Sequence, residues 1–89
     1  MTTSDPGSTP RITLYSRPGC HLCEDARAVV ERVCADTGEE YLEVDITGSA
    51  ELVRAYGEQV PVTMVDGRQH DFWRVEEARL RRALERPAP

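Results

Sequence analysis

The chain reads as one small α/β domain with its elements in the order β-α-β-α-β-β-α, and three observations predict this. Apolar and polar residues alternate around Ile12 and Leu14 and again around Leu42, Val44 and Ile46, the period of a strand with one buried face. Between these segments Leu22, Ala26, Val29, Val30 and Val33 recur at helical spacing. Further on, Asp66-Gly67 is a two-residue hairpin signal between two short extended runs. With 89 residues there is room for a single domain and a shallow site, not for a second catalytic domain or a large cofactor pocket.

Each element follows from its residues. Met1 to Pro10 is rich in Thr, Ser, Pro and Gly without an apolar period, and is expected to be a loose leader; the domain runs over 11–86, with 87–89 as a tail. The first strand carries Ile12 and Leu14 inward, against Arg11, Thr13 and Tyr15. A long helix from about Leu22 to Asp36 follows the turn Ser16-Arg17-Pro18-Gly19, and Gly38 is placed to end it in a left-handed conformation. The second strand carries Leu42, Val44 and Ile46. Ser49 caps a short helix with Leu52, Val53 and Tyr56, closed by Gly57. Two strands joined by a helix form a parallel, right-handed crossover unit. Val60-Pro61-Val62-Thr63-Met64-Val65 is a third strand opened by proline, and the hairpin leads to a fourth over about Arg68 to Phe72. Val75, Ala78, Ala83 and Leu84 mark a last helix, with Arg79, Arg81, Arg82 and Arg86 suited to its negative end and Pro87 and Pro89 closing it.

Composition excludes several function classes. The formal charge is −5 and no basic block is present, so the long-range field opposes nucleic acid and anionic membrane surfaces. No stretch has the length and apolarity of a membrane span or a secretory signal, which places the chain in the cytoplasm. Three cysteines are too few for a disulfide-stapled secreted scaffold; a close pair beside a strand–helix junction reads instead as redox chemistry.

That pair is Cys20-His21-Leu22-Cys23. Pro18 has no N–H to donate and Gly19 permits a tight turn, so Cys20 is expected to emerge exposed at the helix start, where unpaired N–H groups favour a thiolate, the form that attacks disulfides. Cys23, three residues on and roughly one turn behind, is the resolving thiol. Arg17 and a protonated His21 favour the thiolate, whereas Glu24 and Asp25 oppose it, and the sum is not legible in sequence. A zinc site would need four ligands, and Cys34, His21 and His70 supply no second close-spaced pair, so no metal is expected. Cys34 lies eleven residues beyond Cys23, a rotation of about 20° and a rise of about 16 Å along the helix, which makes it core filler out of bonding reach. Thr63 faces away from Val62 and is structural; His70 is a polar strand residue. Trp73 reads equally as a packing residue and as the rim of a groove.

This element order, with Cys-x-x-Cys after the first strand and Val60-Pro61-Val62 opening the third, resembles the glutaredoxin branch of the thioredoxin fold. Tyr15 through Cys23 and the Tyr56-Gly57 helix end are most similar to the small bacterial glutaredoxin-like proteins. The resemblance implies a four-stranded mixed sheet flanked by three helices, and a cis Pro61 packed against the cysteine pair. It implies too that the backbone N–H and C=O of Val60 are free to pair with an extended substrate. Cys20 and Cys23 are then catalytic, and Arg17, His21, Val60, Pro61 and Trp73 border the substrate. No cofactor is bound: reducing equivalents come from a small thiol or a flavin reductase. The partner is a disulfide-bearing protein or a small thiol, and the chain is a monomer. One segment departs from the pattern. Glutathione-using glutaredoxins commonly carry a glycine pair after the fourth strand, where this chain has His70-Asp71-Phe72-Trp73-Arg74-Val75-Glu76.

The implied activity is reduction of disulfides by the Cys20–Cys23 dithiol. One alternative is a monothiol route in which a small thiol resolves at Cys20, as in deglutathionylation or demycothiolation. Another is a non-enzymatic module holding a metal or an iron–sulfur cluster.

Overall fold

A computed structural model describes residues 10–87, so most of the expected leader and the last proline lie outside the described residues. The elements follow the expected order: β1 (Ile12–Ser16), α1 (His21–Thr37), β2 (Tyr41–Asp45), a 3₁₀ turn (Ile46–Gly48), α2 (Ala50–Tyr56), β3 (Val62–Val65), β4 (Arg68–Phe72) and α3 (Glu77–Glu85). The sheet has the order β2-β1-β3-β4, with β1 and β2 parallel and the other pairs antiparallel.

Two apolar clusters sit on the two sides of this sheet. On one side Ile12 and Val65 meet Val30 and Val33 of α1 and Leu80 and Leu84 of α3, with Cys34 packed at the margin as filler. On the other, Cys20, Cys23, Ile46 and Val60 gather with Tyr15, Leu22, Leu52 and Tyr56, and the Tyr15 and Tyr56 rings stack with centroids 4.9 Å apart. Cys23 thus joins the cluster that includes β1 and α2 residues, beside Cys20.

The local punctuation acts as expected at most positions. Gly38 ends α1 at φ 79°, its N–H bonded to the Cys34 carbonyl at 2.9 Å. Ser49 Oγ accepts the Leu52 N–H at 3.2 Å and caps α2. Asp66 and Gly67, with φ 53° and 82°, form the hairpin turn. Gly57 is needed for a different reason from the other glycines: its backbone is right-handed, and a Cβ there would lie 2.5 Å from the Val53 carbonyl oxygen.

Several expectations are corrected. Leu42 does not face a core: it is 51% exposed, because β2 is an edge strand and its side of the sheet carries only the short α2. Ile46 leaves the strand to begin the 3₁₀ turn, and Val60 and Pro61 precede β3 instead of opening it. Val75 lies ahead of α3, which starts only at Glu77, and Leu80 is a fully buried core residue that the spacing argument passed over. Arg79 and Arg81 do not serve the negative end of α3; they pair with Asp71 at 2.9 Å and with Asp36 and Glu77, both at 2.7 Å. His70 is more than a strand residue. It occupies an irregularity in the β3–β4 register, with Nε2 buried without a hydrogen-bond partner, and burial holds its pKa below the ordinary histidine value.

Candidate functional site

The site is assembled where β1 gives way to α1. Ser16, the last residue of β1, donates from Oγ to Glu43 Oε2 at 2.7 Å, and Arg27 of α1 grips the same carboxylate through Nε and Nη2 at 2.7 and 2.6 Å. Strand end, helix and neighbouring strand are thereby tied at the base of the loop. The Arg27 guanidinium, helped by the Ser16 hydroxyl, holds the Glu43 carboxyl below the usual carboxylate range against the opposing effect of burial. Gly19 then turns the chain at φ 73° into α1.

Cys20 is the N-cap of α1, and its Sγ accepts the Cys23 N–H at 3.1 Å. This is the placement expected from the Pro18-Gly19 turn: a sulfur at the N-cap takes one of the unpaired donors of the first turn, and the partial positive charge there favours sulfur in its anionic form. The structure joins the sulfurs of Cys20 and Cys23 as a disulfide, with their Cα atoms 5.1 Å apart. The expected exposure of Cys20 is corrected: in this disulfide it is 8% exposed, and Cys23 is buried. Cys34 remains a free thiol, and burial, then the neighbouring Glu39, Glu31 and Glu40, push its pKa up.

Opposite the pair, the Val60–Pro61 peptide bond is cis, as the resemblance implied. The matching expectation for Val60 is corrected in part. Its N–H is not free for a substrate, because it donates to the Tyr56 carbonyl at 3.1 Å as the last turn of α2 runs on past Gly57. Pro61 is fully buried and does not line the groove that opens on Cys20, so it does not border a substrate there.

Arg17, Cys20, His21, Leu22, Val60 and Trp73 line one groove of about 500 Å³. Most of the residues singled out from sequence thus share a surface, whereas Cys23 and Pro61 are buried and do not line it. Sequence reasoning missed Glu58 altogether and, at Tyr56, the carbonyl contact to Val60. Glu58 lines the groove and its carbonyl accepts the Trp73 indole N–H at 2.9 Å; Tyr56 supplies the carbonyl that occupies Val60. Both contributions are main-chain bonds, for which no side-chain pattern is a signal. Among the described residues no three His, Cys, Asp or Glu side chains converge to form a metal-ligand set.

Comparison with known proteins places these features in context. The Glutaredoxin-like domain (DUF836) profile matches residues 11–85. An uncharacterized protein of Mycobacterium tuberculosis is 31% identical over 84 residues, spanning 89% of this chain and 87% of the relative. The crystal structure of a structural-genomics target protein from X. campestris superimposes with a TM-score of 0.70 at 36% identity, covering 83% of this chain and 95% of that one. A glutaredoxin from Archaeoglobus fulgidus superimposes with a TM-score of 0.60 over 88% of this chain and 89% of its own; at 14% identity it speaks to the fold alone. The architecture is the α/β thioredoxin-like fold, with its cysteine pair at disulfide distance.

Proposed function

The chain belongs to the Glutaredoxin-like domain (DUF836) family, and from that membership together with its paired sulfurs we propose that it is a thiol–disulfide oxidoreductase working through the Cys20–Cys23 dithiol. The observation that carries the reading is the position of Cys20: an N-cap sulfur that accepts the Cys23 amide, bonded to Cys23 and opening onto a groove.

The chemistry balances as two exchanges. Cys20 thiolate attacks one sulfur of a substrate disulfide; that S–S bond breaks, the Cys20–substrate bond forms, and the departing sulfur takes up a proton as a thiol. Cys23, losing its proton, then attacks Cys20 Sγ and releases the second substrate thiol. Two electrons pass from the dithiol to the substrate and leave the Cys20–Cys23 disulfide. A low-molecular-weight thiol or a flavoprotein dithiol reductase restores it. Arg17 and His21, on the groove, favour the thiolate and the anionic mixed-disulfide transition state when cationic.

The test uses the reduced protein and a model disulfide with dithiothreitol as electron source. The wild type turns over and Cys20→Ser does not; Cys23→Ser, reduced and then freed of dithiothreitol before the substrate is added, accumulates a mixed disulfide detectable by mass. If Cys23→Ser keeps full turnover with a small thiol as reductant, the monothiol route replaces the dithiol one. If no substrate disulfide is reduced and the Cys20–Cys23 bond does not open and close reversibly, the proposal fails.

A further inference from the structure

Among the described residues, Asp66 and Trp73 alone are non-glycine residues with φ in the left-handed region, at 53° and 64°. Asp66 needs no further explanation, since it stands in an Asp-Gly hairpin turn where that conformation is the rule. Trp73 has no such excuse. A large side chain at positive φ is a true outlier that costs on the order of 1 kcal/mol or more. The strain is localised further by the Arg74 N–H, which donates to the Phe72 carbonyl at 2.7 Å and closes a three-residue turn about Trp73. With a positive φ at its centre, this is the pattern of the γ-turn that is rare because it is strained.

The surroundings hold the residue in this state. The Trp73 N–H is shared between the Pro61 carbonyl at 2.8 Å and the Gln59 carbonyl at 3.2 Å, the indole N–H is bonded to Glu58 O at 2.9 Å, and Phe72 meets the ring edge-on at a centroid distance of 5.0 Å. Yet these two aromatic side chains are not used to fill a core: Trp73 is 52% and Phe72 48% exposed. A glycine would make the same turn without strain, so the turn itself does not call for tryptophan here. Its free face borders the groove that opens on Cys20, beside Leu22, Val60 and Arg17. Main-chain handles on this wall are already occupied within the protein: the Val60 N–H by Tyr56, and the Glu58, Gln59 and Pro61 carbonyls by Trp73.

We propose that Trp73 is the specificity-determining wall of the groove, selecting disulfides of extended polypeptides that carry an apolar or aromatic side chain next to the reacting cysteine. The indole is fixed before binding, so a flanking phenylalanine or leucine is buried against it without the ordering of a mobile loop, and a small hydrophilic disulfide leaves the same surface wet. Tryptophan in this setting has the properties of an interface anchor: large, rigid, with its polar atom already satisfied. The inference rests on the thiol–disulfide reading and adds the class of substrate.

The experiment measures kcat/KM of the full chain, with dithiothreitol as reductant, for two disulfide-linked peptides that differ only in Phe or Ser beside the cysteine, and for hydroxyethyl disulfide. The wild type is expected to prefer the Phe peptide by about tenfold, the factor that partial burial of one aromatic side chain supplies, with the difference mainly in KM. Trp73→Gly is expected to bring the ratio near one; because glycine suits φ 64°, the variant is expected to keep the wild-type circular dichroism spectrum and a cooperative urea transition, and an unchanged kcat/KM for hydroxyethyl disulfide separates lost selectivity from lost structure. Trp73→Phe keeps an apolar face without the bond to Glu58 and is expected to retain part of the preference. A wild type that turns over all three substrates without preferring the Phe peptide, or a Trp73→Gly protein that keeps the preference, overturns the role of Trp73 and leaves the oxidoreductase reading standing. A wild type that reduces none of the three overturns both.

Discussion

Replacing Arg11 with alanine is expected to destabilise the domain by about 2–3 kcal/mol without altering the surroundings of Cys20. The guanidinium sits 13% exposed where several segments end. Its Nε and Nη2 grip the Asp66 carboxylate, both at 2.9 Å; Nη1 reaches Glu39 at 3.3 Å and the Leu84 carbonyl at 3.2 Å; Nη2 also donates to the Arg86 carbonyl at 2.8 Å. One side chain thus ties the hairpin, the loop after α1 and the end of α3 to the start of β1. The bidentate pair is part-shielded from water, so about 1–2 kcal/mol is assigned to it, between the values for exposed ion pairs and for buried charge-assisted bonds. The two carbonyl bonds add about 0.5 kcal/mol each, and the long contact to Glu39 little. For a domain of this size that sum lowers Tm by roughly 10–20 °C. The assay is thermal unfolding followed by circular dichroism, with iodoacetamide alkylation of the reduced protein at 25 °C as the control: Cys20 lies beyond the opposite end of β1, and its reaction rate is expected to be unchanged. A Tm change below about 2 °C would refute the reasoning, since the bonds to Arg11 would then be no better than those it makes to water.

Other consequences are open to measurement. Gly57→Ala is expected to cost about 1–3 kcal/mol in urea unfolding, because the new methyl group meets the Val53 carbonyl at 2.5 Å and the end of α2 must shift; an unchanged midpoint would remove the close-approach argument. As pH falls below about 6.5, the unfolded chain protonates His70 before the native state does, so stability is expected to decline there, and His70→Leu is expected to flatten that slope. Asp66 and Glu43, both held below the usual carboxylate range by arginine, contribute stability that is present above about pH 4 and is lost as pH falls further; Glu43→Gln is expected to weaken this acid transition in chemical denaturation. At pH 8 Cys34 is expected to alkylate more slowly than a cysteine in a short peptide, because burial and three nearby glutamates disfavour its thiolate; peptide mapping after timed labelling decides this.

Element order and the cysteine pair at the β1–α1 junction were legible because they rest on local signals: alternating apolar residues, Gly38 and Gly57 as stops, Ser49 as a cap, Asp66-Gly67 as a turn, and Pro18-Gly19 ahead of Cys20. What escaped depends on which atoms meet across the chain. Leu42 has the pattern of a buried strand residue, but nothing within β2 tells that it lies at the sheet edge under a seven-residue helix. The Val60 N–H appears free if the turn at Gly57 is taken as the end of α2, whereas the chain keeps a helical grip to Tyr56 O for one more bond. Trp73 carries no glycine or asparagine signal for its left-handed backbone; main-chain carbonyls from Gln59 and Pro61 impose it against local preference. The extra residue at His70 likewise arises from a register shift between β3 and β4, which is a property of the pair of strands.

The amide that serves Cys20 Sγ belongs to the backbone of residue 23. Mutation edits side chains, so every replacement at that position except proline preserves this donor, and the residues at 21 and 22 are open to change without removing it. Variants at the two intervening positions are thus a way to change the charge around the sulfur while its hydrogen bond stays in place.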